Sequence, residues 1–469
     1  MQATNKGESE VLGAAAPRIL LADTNRWALS ARLAIALSQV GCQVSATCAK
    51  PGHALLKTRA VQRTFDYSGL RPLESLTAAI EAVDPEIVIP CCDRSAGHLH
   101  ELYAKAQSQG TADSKMTALI ERSLGSPASH STVSSRYDLL ALAREEGVRV
   151  PATSRVNTGE ELADWQARQE FPWVLKADGT WGGGGVKIVH GPDEIQTSLT
   201  QLGRMFGLRR VIKRLLVNRD PYWLRPWWNR SRHAVVAQSY VEGHPANCAV
   251  LCWKGRVLAG IGVDVVQSEG VTGPASIVRV VDNPEMMFAA ERVAARLGLS
   301  GFFGLDFMIE TGSGAAYLIE MNPRPTPLCH LRLSHGRDMA GALWARLSGQ
   351  PNPETPSATQ NDMIAYFPQA WESKSDLLES SFQDIPHGEP ELIRELCQPW
   401  PNRTLLFRLC TRRRQPPSRT TIGVPESSDQ ARSTTQEVPG CTCHGVLADT
   451  ISKAPGGNTR ARTRRHDVS

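Results

Sequence analysis

The chain has 469 residues, 41% of them hydrophobic, which is enough to bury two or three cores of ordinary size. It has neither an apolar run of membrane-spanning length nor a start typical of a signal peptide, so the sequence favours a cytoplasmic protein without a transmembrane segment. The formal net charge of +5 equals the excess of ten Lys and Arg over five Asp and Glu from Thr411 to the end, so the body is neutral and nucleic-acid binding is not favoured.

The first 125 residues alternate strand-like and helix-like segments. The apolar run RILLA precedes a helical pattern that ends at Gly41, and a second strand, CQVSATCA, follows. Another helix leads through an Asp-Pro turn to the apolar strand IVIP, which we expect to end in a polar loop at Asp93. This alternation predicts a parallel, doubly wound sheet with ligands beyond the carboxyl ends of its strands. No Gly-x-Gly-x-x-Gly follows the first strand, which disfavours a dehydrogenase.

A second region begins with a Ser-rich stretch that caps a predicted helix from Ser135 to Glu146. The segment PWVLKADGTWGGGGVKIV then predicts a hairpin with Lys176 on its first strand and Gly182, Gly183, Gly184 and Gly185 in its turn. Such a turn can simply connect two strands. Four consecutive glycines favour a backbone that approaches a phosphate closely, because each glycine costs backbone entropy and one or two suffice for a turn. The ending of a P-loop, Gly-Lys-Ser or Gly-Lys-Thr, is missing.

Another hairpin is predicted within residues 301–328, where FFGLDFMI and AAYLIEM are joined by ETGSG. Residues of one face recur at every second position, so Glu320 and Asn322 share a face and Asp306 can lie across from them. A surface hairpin with solvated charges is the alternative. Carboxylates embedded in apolar strands are costly to bury unless they are paired or hold a metal, and hard oxygen ligands suit Mg²⁺ beside a nucleotide triphosphate.

The glycine loop after VLK, the strand with LDF and the stretch IEMNPRP, in this order, resemble the ATP-grasp superfamily. The resemblance covers about residues 17–350. It implies an α/β and α+β architecture, with a parallel-sheet pre-ATP-grasp (Rossmann-like) domain before a two-lobed ATP-grasp fold. We therefore expect four parts: a pre-ATP-grasp domain at 17–125, an ATP-grasp domain at 126–350, a C-terminal extension at 351–410 and a disordered basic tail at 411–469.

The resemblance also implies ATP and Mg²⁺ (or Mn²⁺) as cofactors and gives roles to particular residues. Lys176 would contact the α- and β-phosphates, glycines 182–185 would close over the β- and γ-phosphates, and Arg324 would stabilise an acyl-phosphate transition state. The metal ligands would be Asp306, Glu320 and Asn322. By the same resemblance residues 237–250 form the linker between the lobes, where adenine would contact Gln238, Ser239 and Val241.

Two positions depart from the family pattern. Arg136 stands where a first phosphate-binding lysine is usual. The planar guanidinium of arginine binds with several fixed donors, whereas the ammonium of lysine is a compact point charge. Pro245 stands where many members keep a ribose-binding glutamate. Because the metal cluster and Lys176 remain, an active enzyme is favoured over a degenerate one.

The implied activity is that of an ADP-forming carboxylate-amine ligase, whose small-molecule substrates are a carboxylate and an amine. The alternative is an ATP-binding regulatory or interaction protein without the reaction. Substrate contacts are expected from the loops near Asp93 and after Arg324. The basic, Trp-rich segment 207–233 either packs as a lid, which is favoured, or touches a membrane surface or an anionic substrate. The sequence gives no oligomeric state.

Overall fold

The computed structural model describes residues 16–397, except 25–28, 50–51, 111–113, 180–184, 204–207, 209–210, 213–214, 216–233, 269, 271–272, 354–355 and 374. The glycines at 182–184, most of the segment 207–233 and the tail predicted at 411–469 therefore lie outside the described residues. Within the described ranges the strands form three sheets, two of four strands and one of seven. No helix in these ranges combines the length and the hydropathy needed to cross a bilayer.

The N-terminal unit is a parallel sheet in the order β3-β2-β1-β4, as the alternating pattern predicts. Its strands are β1 (Arg18–Asp23), β2 (Gln43–Cys48), β3 (Val61–Asp66) and β4 (Ile87–Pro90). Its helices are α1 (Leu29–Gln39), α2 (Pro72–Val83), α3 (Asp93–Ser108) and α4 (Lys115–Leu124). The sequence pattern missed β3, because this edge strand is half-exposed and has no apolar run.

The expected polar loop at Asp93 is wrong, because Asp93 is the first residue of α3. Cys92 caps this helix, and its backbone N–H donates to Oγ of Ser95 (3.2 Å). The helix begins directly after β4, so Asp93 stands at the carboxyl edge of the sheet.

The smaller lobe is a four-stranded antiparallel sheet in the order β5-β8-β6-β7. The short helix α5 (His130–Ser134) and α6 (Arg136–Glu145) lead into it, and the Ser135 hydroxyl caps α6 as expected. The strands are β5 (Thr153–Arg155), β6 (Trp173–Ala177), β7 (Val186–Val189) and β8 (Val235–Ser239), with helices α7 (Gly159–Arg168) and α8 (Pro192–Gly203). The predicted hairpin around the glycines is confirmed as β6 and β7.

The larger lobe is built on a seven-stranded sheet in the order β13-β12-β9-β10-β11-β14-β15. Its strands are β9 (Gly243–Trp253), β10 (Arg256–Ser268), β11 (Ala275–Val281), β12 (Gly301–Glu310), β13 (Ala316–Asn322), β14 (Met363–Tyr366) and β15 (Phe382–Asp384). Its helices are α9 (Pro284–Leu297), α10 (Met339–Ser348), α11 (Gln369–Glu372) and α12 (Pro390–Leu396). The hairpin predicted within residues 301–328 is confirmed as β12 and β13.

The predicted interlobe linker at 237–250 is too long. Gln238 and Ser239 end β8, Gly243 begins β9, and only residues 240–242 connect the two strands. The rest of the predicted linker belongs to β9, which pairs with β10 on one side and β12 on the other and is therefore a central strand of the sheet.

One buried cluster joins the N-terminal unit to the larger lobe. It contains Leu21 and Leu37 from the parallel sheet and its helix α1, Leu251 and Ile261 from the seven-stranded sheet, and Leu392 from α12. The opposite face of the seven-stranded sheet packs on α6 and α9 in a second cluster. The N-terminal unit and the larger lobe therefore share one core, and α6 packs on the larger lobe.

Candidate active site

The β12–β13 hairpin brings the predicted metal-binding residues together. Asp306 lies opposite Glu320, and Gly304 opposite Asn322, in the strand register. Nδ2 of Asn322 donates to Oδ2 of Asp306 (3.0 Å). On the other side, Nδ2 of Asn247 in β9 donates to Oδ1 of Asp306 (2.7 Å). Both oxygens of this carboxylate are therefore oriented by amide donors.

Electrostatics make this hairpin end suitable for a cation. Burial raises the pKa of Asp306 to about 6, and the neighbouring Glu320 carboxylate raises it as well, against the hydrogen bonds from Asn247 and Asn322. A positive charge between two such carboxylates would relieve both the desolvation and the repulsion. The described residues contain no group of three or more His, Cys, Asp or Glu side chains that could hold a metal ion. The candidate set here consists instead of two carboxylates and one amide.

Two cations face the carboxylates, one from α6 and one from β6 of the smaller lobe. Arg136, at the start of α6, donates from Nη2 to Oε1 of Glu320 (2.8 Å) and from Nη1 to Oδ1 of Asp178 (3.0 Å). Lys176 on β6 is buried, and its Nζ donates to the carbonyl oxygen of Ile319 (3.4 Å). Burial lowers the pKa of Lys176 to about 8, although the Glu320 carboxylate acts in the opposite direction. A polyanion would offset the cost of burying these cations.

A single cavity of about 520 Å³ connects these groups. Of the predicted site residues, those that line it are Arg136, Lys176, Gln238, Ser239, Val241, Asp306, Glu320, Asn322 and Arg324. Nε2 of Gln238 donates to the same Ile319 carbonyl as Lys176 (3.4 Å). The structure places Gly185 at the end of the glycine turn, where its carbonyl accepts from the N–H of Ala177 (2.9 Å), and this residue does not line the cavity.

Arg324 follows the hairpin and meets the N-terminal unit. Its Nη2 donates to Oδ1 of Asn322 (3.0 Å), and its Nε donates to Oδ2 of Asp93 (3.3 Å). Burial lowers the pKa of this guanidinium, but the Asp93 and Asp306 carboxylates raise it more, so the net shift is upward. Arg324 therefore stays charged at the boundary between the two units.

Sequence reasoning missed Asn247 and Asp178. Asn247 lies on β9, directly opposite Asp306 in the register of β9 with β12. Asp178 follows β6 and pairs with Arg136. Asp178 could have been noticed, because it lies in the sequence Ala-Asp-Gly just before the glycines. No local sequence pattern points to Asn247, because only the pairing of two distant strands places it beside Asp306.

Residues 224–327 match the family model of the ATP-grasp domain. This part of the chain is similar to an ATP-grasp domain. The matched residues include the cavity-lining strand β9 and the whole β12–β13 hairpin with Arg324.

Solved structures of ATP-grasp enzymes share the fold. The biotin carboxylase domain of 2-oxoglutarate carboxylase from Hydrogenobacter thermophilus, solved with MgADP, ADP and bicarbonate, is 15% identical with a TM-score of 0.50, over 72% of this chain and 71% of that one. Carboxyaminoimidazole ribonucleotide synthase from Aspergillus clavatus, in complex with ATP, is 15% identical with a TM-score of 0.51, over 72% and 78%. N5-carboxyaminoimidazole synthetase from Staphylococcus aureus, with ADP, is 12% identical with a TM-score of 0.50, over 72% and 79%.

At these identities the likeness concerns the fold: a parallel-sheet domain followed by the two lobes of the ATP-grasp domain. In sequence, no curated protein matches the chain.

Proposed function

We propose that this protein is an ADP-forming ligase that phosphorylates a substrate carboxylate and couples the acyl phosphate to an amine. One observation carries the proposal: two buried cations, two carboxylates with an amide, and a charged arginine line the same cavity between the lobes of the ATP-grasp domain. Each of these groups suits a different part of a phosphoryl transfer.

ATP would lie in the cavity with its adenine against the interlobe connection, where Gln238, Ser239 and Val241 line the wall. The backbones of Ser239 and Val241 and the side chain of Gln238 would contact the adenine. Lys176 and Arg136 would contact its phosphates, because both are buried cations that line this cavity. Glycines 182–184, which lie between β6 and β7 in sequence, would supply backbone N–H donors over the terminal phosphates. The solved structures of this fold in complex with ATP, ADP or MgADP support a nucleotide as the ligand.

The end of the β12–β13 hairpin fits Mg²⁺, or Mn²⁺. Its oxygen donors come from Asp306, Glu320 and Asn322, which are the hard ligands that these ions prefer, and the raised pKa of Asp306 indicates a site in need of positive charge. The bound ion would neutralise the phosphate oxygens during transfer. Arg136 already neutralises part of the Glu320 charge, so it would shift between this carboxylate and the phosphates.

Arg324 lies at the end of the metal-binding hairpin, where the substrate carboxylate would bind. A carboxylate oxygen would attack the γ-phosphorus and ADP would leave. The amine would then attack the acyl carbon, lose a proton and displace inorganic phosphate. Arg324 would stabilise negative charge in both steps, because its guanidinium is held by Asn322 and Asp93 and stays protonated.

The test is a screen of carboxylates with ATP, Mg²⁺ and hydroxylamine as a surrogate amine. We expect hydroxamate to form in step with ADP for at least one carboxylate. AMP and pyrophosphate as products would contradict the proposed chemistry. ATP binding without ADP release from any carboxylate would instead favour an ATP-binding regulatory protein.

A further inference from the structure

The ion pair between Asp93 and Arg324 places two opposite charges side by side at the substrate end of the site, 3.3 Å apart between Oδ2 and Nε. Asp93 comes from the junction of β4 and α3 in the parallel-sheet unit, and Arg324 comes from the end of the β12–β13 hairpin. The two side chains are 41% and 20% exposed, so a small molecule can reach both.

Each partner keeps unused hydrogen-bonding capacity. A guanidinium has five N–H donors. Three of those of Arg324 have acceptors among the described residues, which are Asp93, Asn322 and the carbonyl of Pro325, so two remain for a ligand. Oδ2 of Asp93 accepts from Arg324. The other oxygen, Oδ1, has no hydrogen-bond donor in the described part of the chain. The pair can therefore accept a ligand without first breaking.

A free carboxylate alone is a poor match for this arrangement, since it would gain two N–H donors from Arg324 but would face the Asp93 carboxylate. A molecule with a carboxylate and an ammonium on one carbon matches both charges. Its carboxylate would take the free donors of Arg324, and its ammonium would donate to Oδ1 of Asp93.

Arg324 lines the cavity, whereas Asp93 is not among the lining residues and adjoins the cavity through its contact with Arg324. The lining limits what else the ligand carries. Apart from Arg324, the charged residues that line the cavity are Arg136, Lys176, Asp306 and Glu320, which the proposed function uses for the nucleotide and metal. The lining contributed by β10, β11 and β14 carries no charge and includes Val265, Ala275 and Tyr366. A side chain placed against this surface would be uncharged.

We infer that the carboxylate substrate is an α-amino acid with an uncharged side chain, and that Asp93 is the specificity-determining residue that binds its ammonium group. This inference rests on the proposed ligase function. It requires that the amino acid be the acyl donor, with its own carboxylate phosphorylated beside Arg324 and its ammonium kept as a binding group.

The experiment compares each uncharged α-amino acid with the 2-hydroxy acid of the same side chain, in the hydroxamate assay with Mg²⁺ and ATP. We expect kcat/KM of the full-length protein to favour the best amino acid by about tenfold to a hundredfold, which is the worth of a hydrogen bond to a charged group. Asp93→Asn should bring this ratio close to one and should improve the hydroxy acid, because a competing carboxylate is removed. Glu101→Gln, on the same helix with a side chain 57% exposed, is the matched control and should keep the ratio.

Equal use of amino and hydroxy acids by the unmutated protein would overturn the inference while leaving the ligase function in place. If no carboxylate releases ADP, the ligase function fails, and calorimetry with a non-hydrolysable ATP analogue decides the inference separately. Amino acid binding that Asp93→Asn weakens at least tenfold, and that the hydroxy acid does not show, supports it. Equal binding of the two acids, or of neither, contradicts it.

Discussion

Lys176 and Arg136 illustrate how the site depends on single buried charges. Lys176 reaches the cavity from β6 of the smaller lobe and Arg136 from the start of α6, and both face the carboxylates of the β12–β13 hairpin. Arg136 is held by two carboxylates, whereas the described contact of Lys176 is the carbonyl of Ile319. The lysine is therefore the cation with the larger unmet charge, and phosphate binding should depend on it most.

Lys176→Ala should weaken ATP binding by about tenfold to a hundredfold, since a charge-assisted hydrogen bond contributes about 1.5–3 kcal/mol. Calorimetric titration with ATP and Mg²⁺ measures the change. The control is Lys187→Ala, which removes an exposed lysine from the partner strand, opposite Leu175, and should leave the affinity unchanged. Unchanged affinity in Lys176→Ala would contradict the proposed phosphate contact.

Glu320→Gln should lower the rate of ADP release by about a hundredfold or more, because it removes a charge at the proposed metal while keeping the shape of the side chain. Folding should persist, which circular dichroism checks. Glu310→Gln is the control, because this glutamate lies at the opposite end of the same hairpin and contacts Ser313. Near-normal turnover by a folded Glu320→Gln protein would exclude the glutamate from the reaction.

Local patterns predicted single hairpins from the sequence but not the pairing of strands that are distant in sequence. Alternating apolar residues and the ETGSG turn predict β12 and β13, and with them the convergence of Asp306, Glu320 and Asn322. Asn247 could not be predicted, because its place beside Asp306 depends on the pairing of β9 with β12, which are far apart in sequence. The edge strand β3 was missed for the related reason that few of its side chains are buried.

The pairing of β9 with β12 leaves no space at Gly243, which also lines the cavity. A Cβ at this position would lie 1.9 Å from the carbonyl oxygen of Ile309, so the backbone of one strand would have to move. Gly243→Ala should lower the free energy of unfolding by about 1–3 kcal/mol, as other overpacked sites do, and should weaken ATP binding.

Denaturant unfolding and ATP titration measure the two effects of Gly243→Ala. Gly191→Ala is the control, since a Cβ there would meet no atom within 4 Å, and its effect should stay within about 0.5 kcal/mol. An unfolding midpoint for Gly243→Ala equal to that of Gly191→Ala would show that the close strand contact does not constrain the lobe.

At the scale of the whole molecule, the N-terminal sheet, the larger lobe and the C-terminal segment share one core. The segment predicted as an extension after residue 350 adds β14 and β15 to the seven-stranded sheet. Its short strands lack a helical or alternating pattern long enough to predict this from sequence, and only the completed sheet gives them a place. The division into 17–125, 126–350, 351–410 and 411–469 stays a prediction.

A buried charge cluster ties the same three parts together. Arg32 on α1 forms an ion pair with Asp384 at the end of β15, and Nε2 of His330, after the hairpin, lies 2.8 Å from the other oxygen of Asp384. The three side chains are at most 13% exposed. Removing one partner of a buried pair leaves an uncompensated charge, which costs about 3–5 kcal/mol.

Arg32→Ala should therefore lower the free energy of unfolding by about 3–5 kcal/mol at pH 7. The control Arg292→Ala, which breaks an ion pair between a half-exposed arginine and Glu146, should lower it by at most about 1 kcal/mol.

Burial raises the pKa of Asp384, but His330 and Arg32 lower it more, so its folded pKa lies below the ordinary value of 3.8. A lowered carboxyl pKa stabilises the fold above that ordinary value, and the contribution is lost as the pH falls through the folded pKa. The difference between wild type and Arg32→Ala should accordingly be full at neutral pH and shrink below about pH 4, as denaturant unfolding at several pH values would measure. A difference of less than about 1 kcal/mol at pH 7 would mean that the cluster does not hold the three parts together.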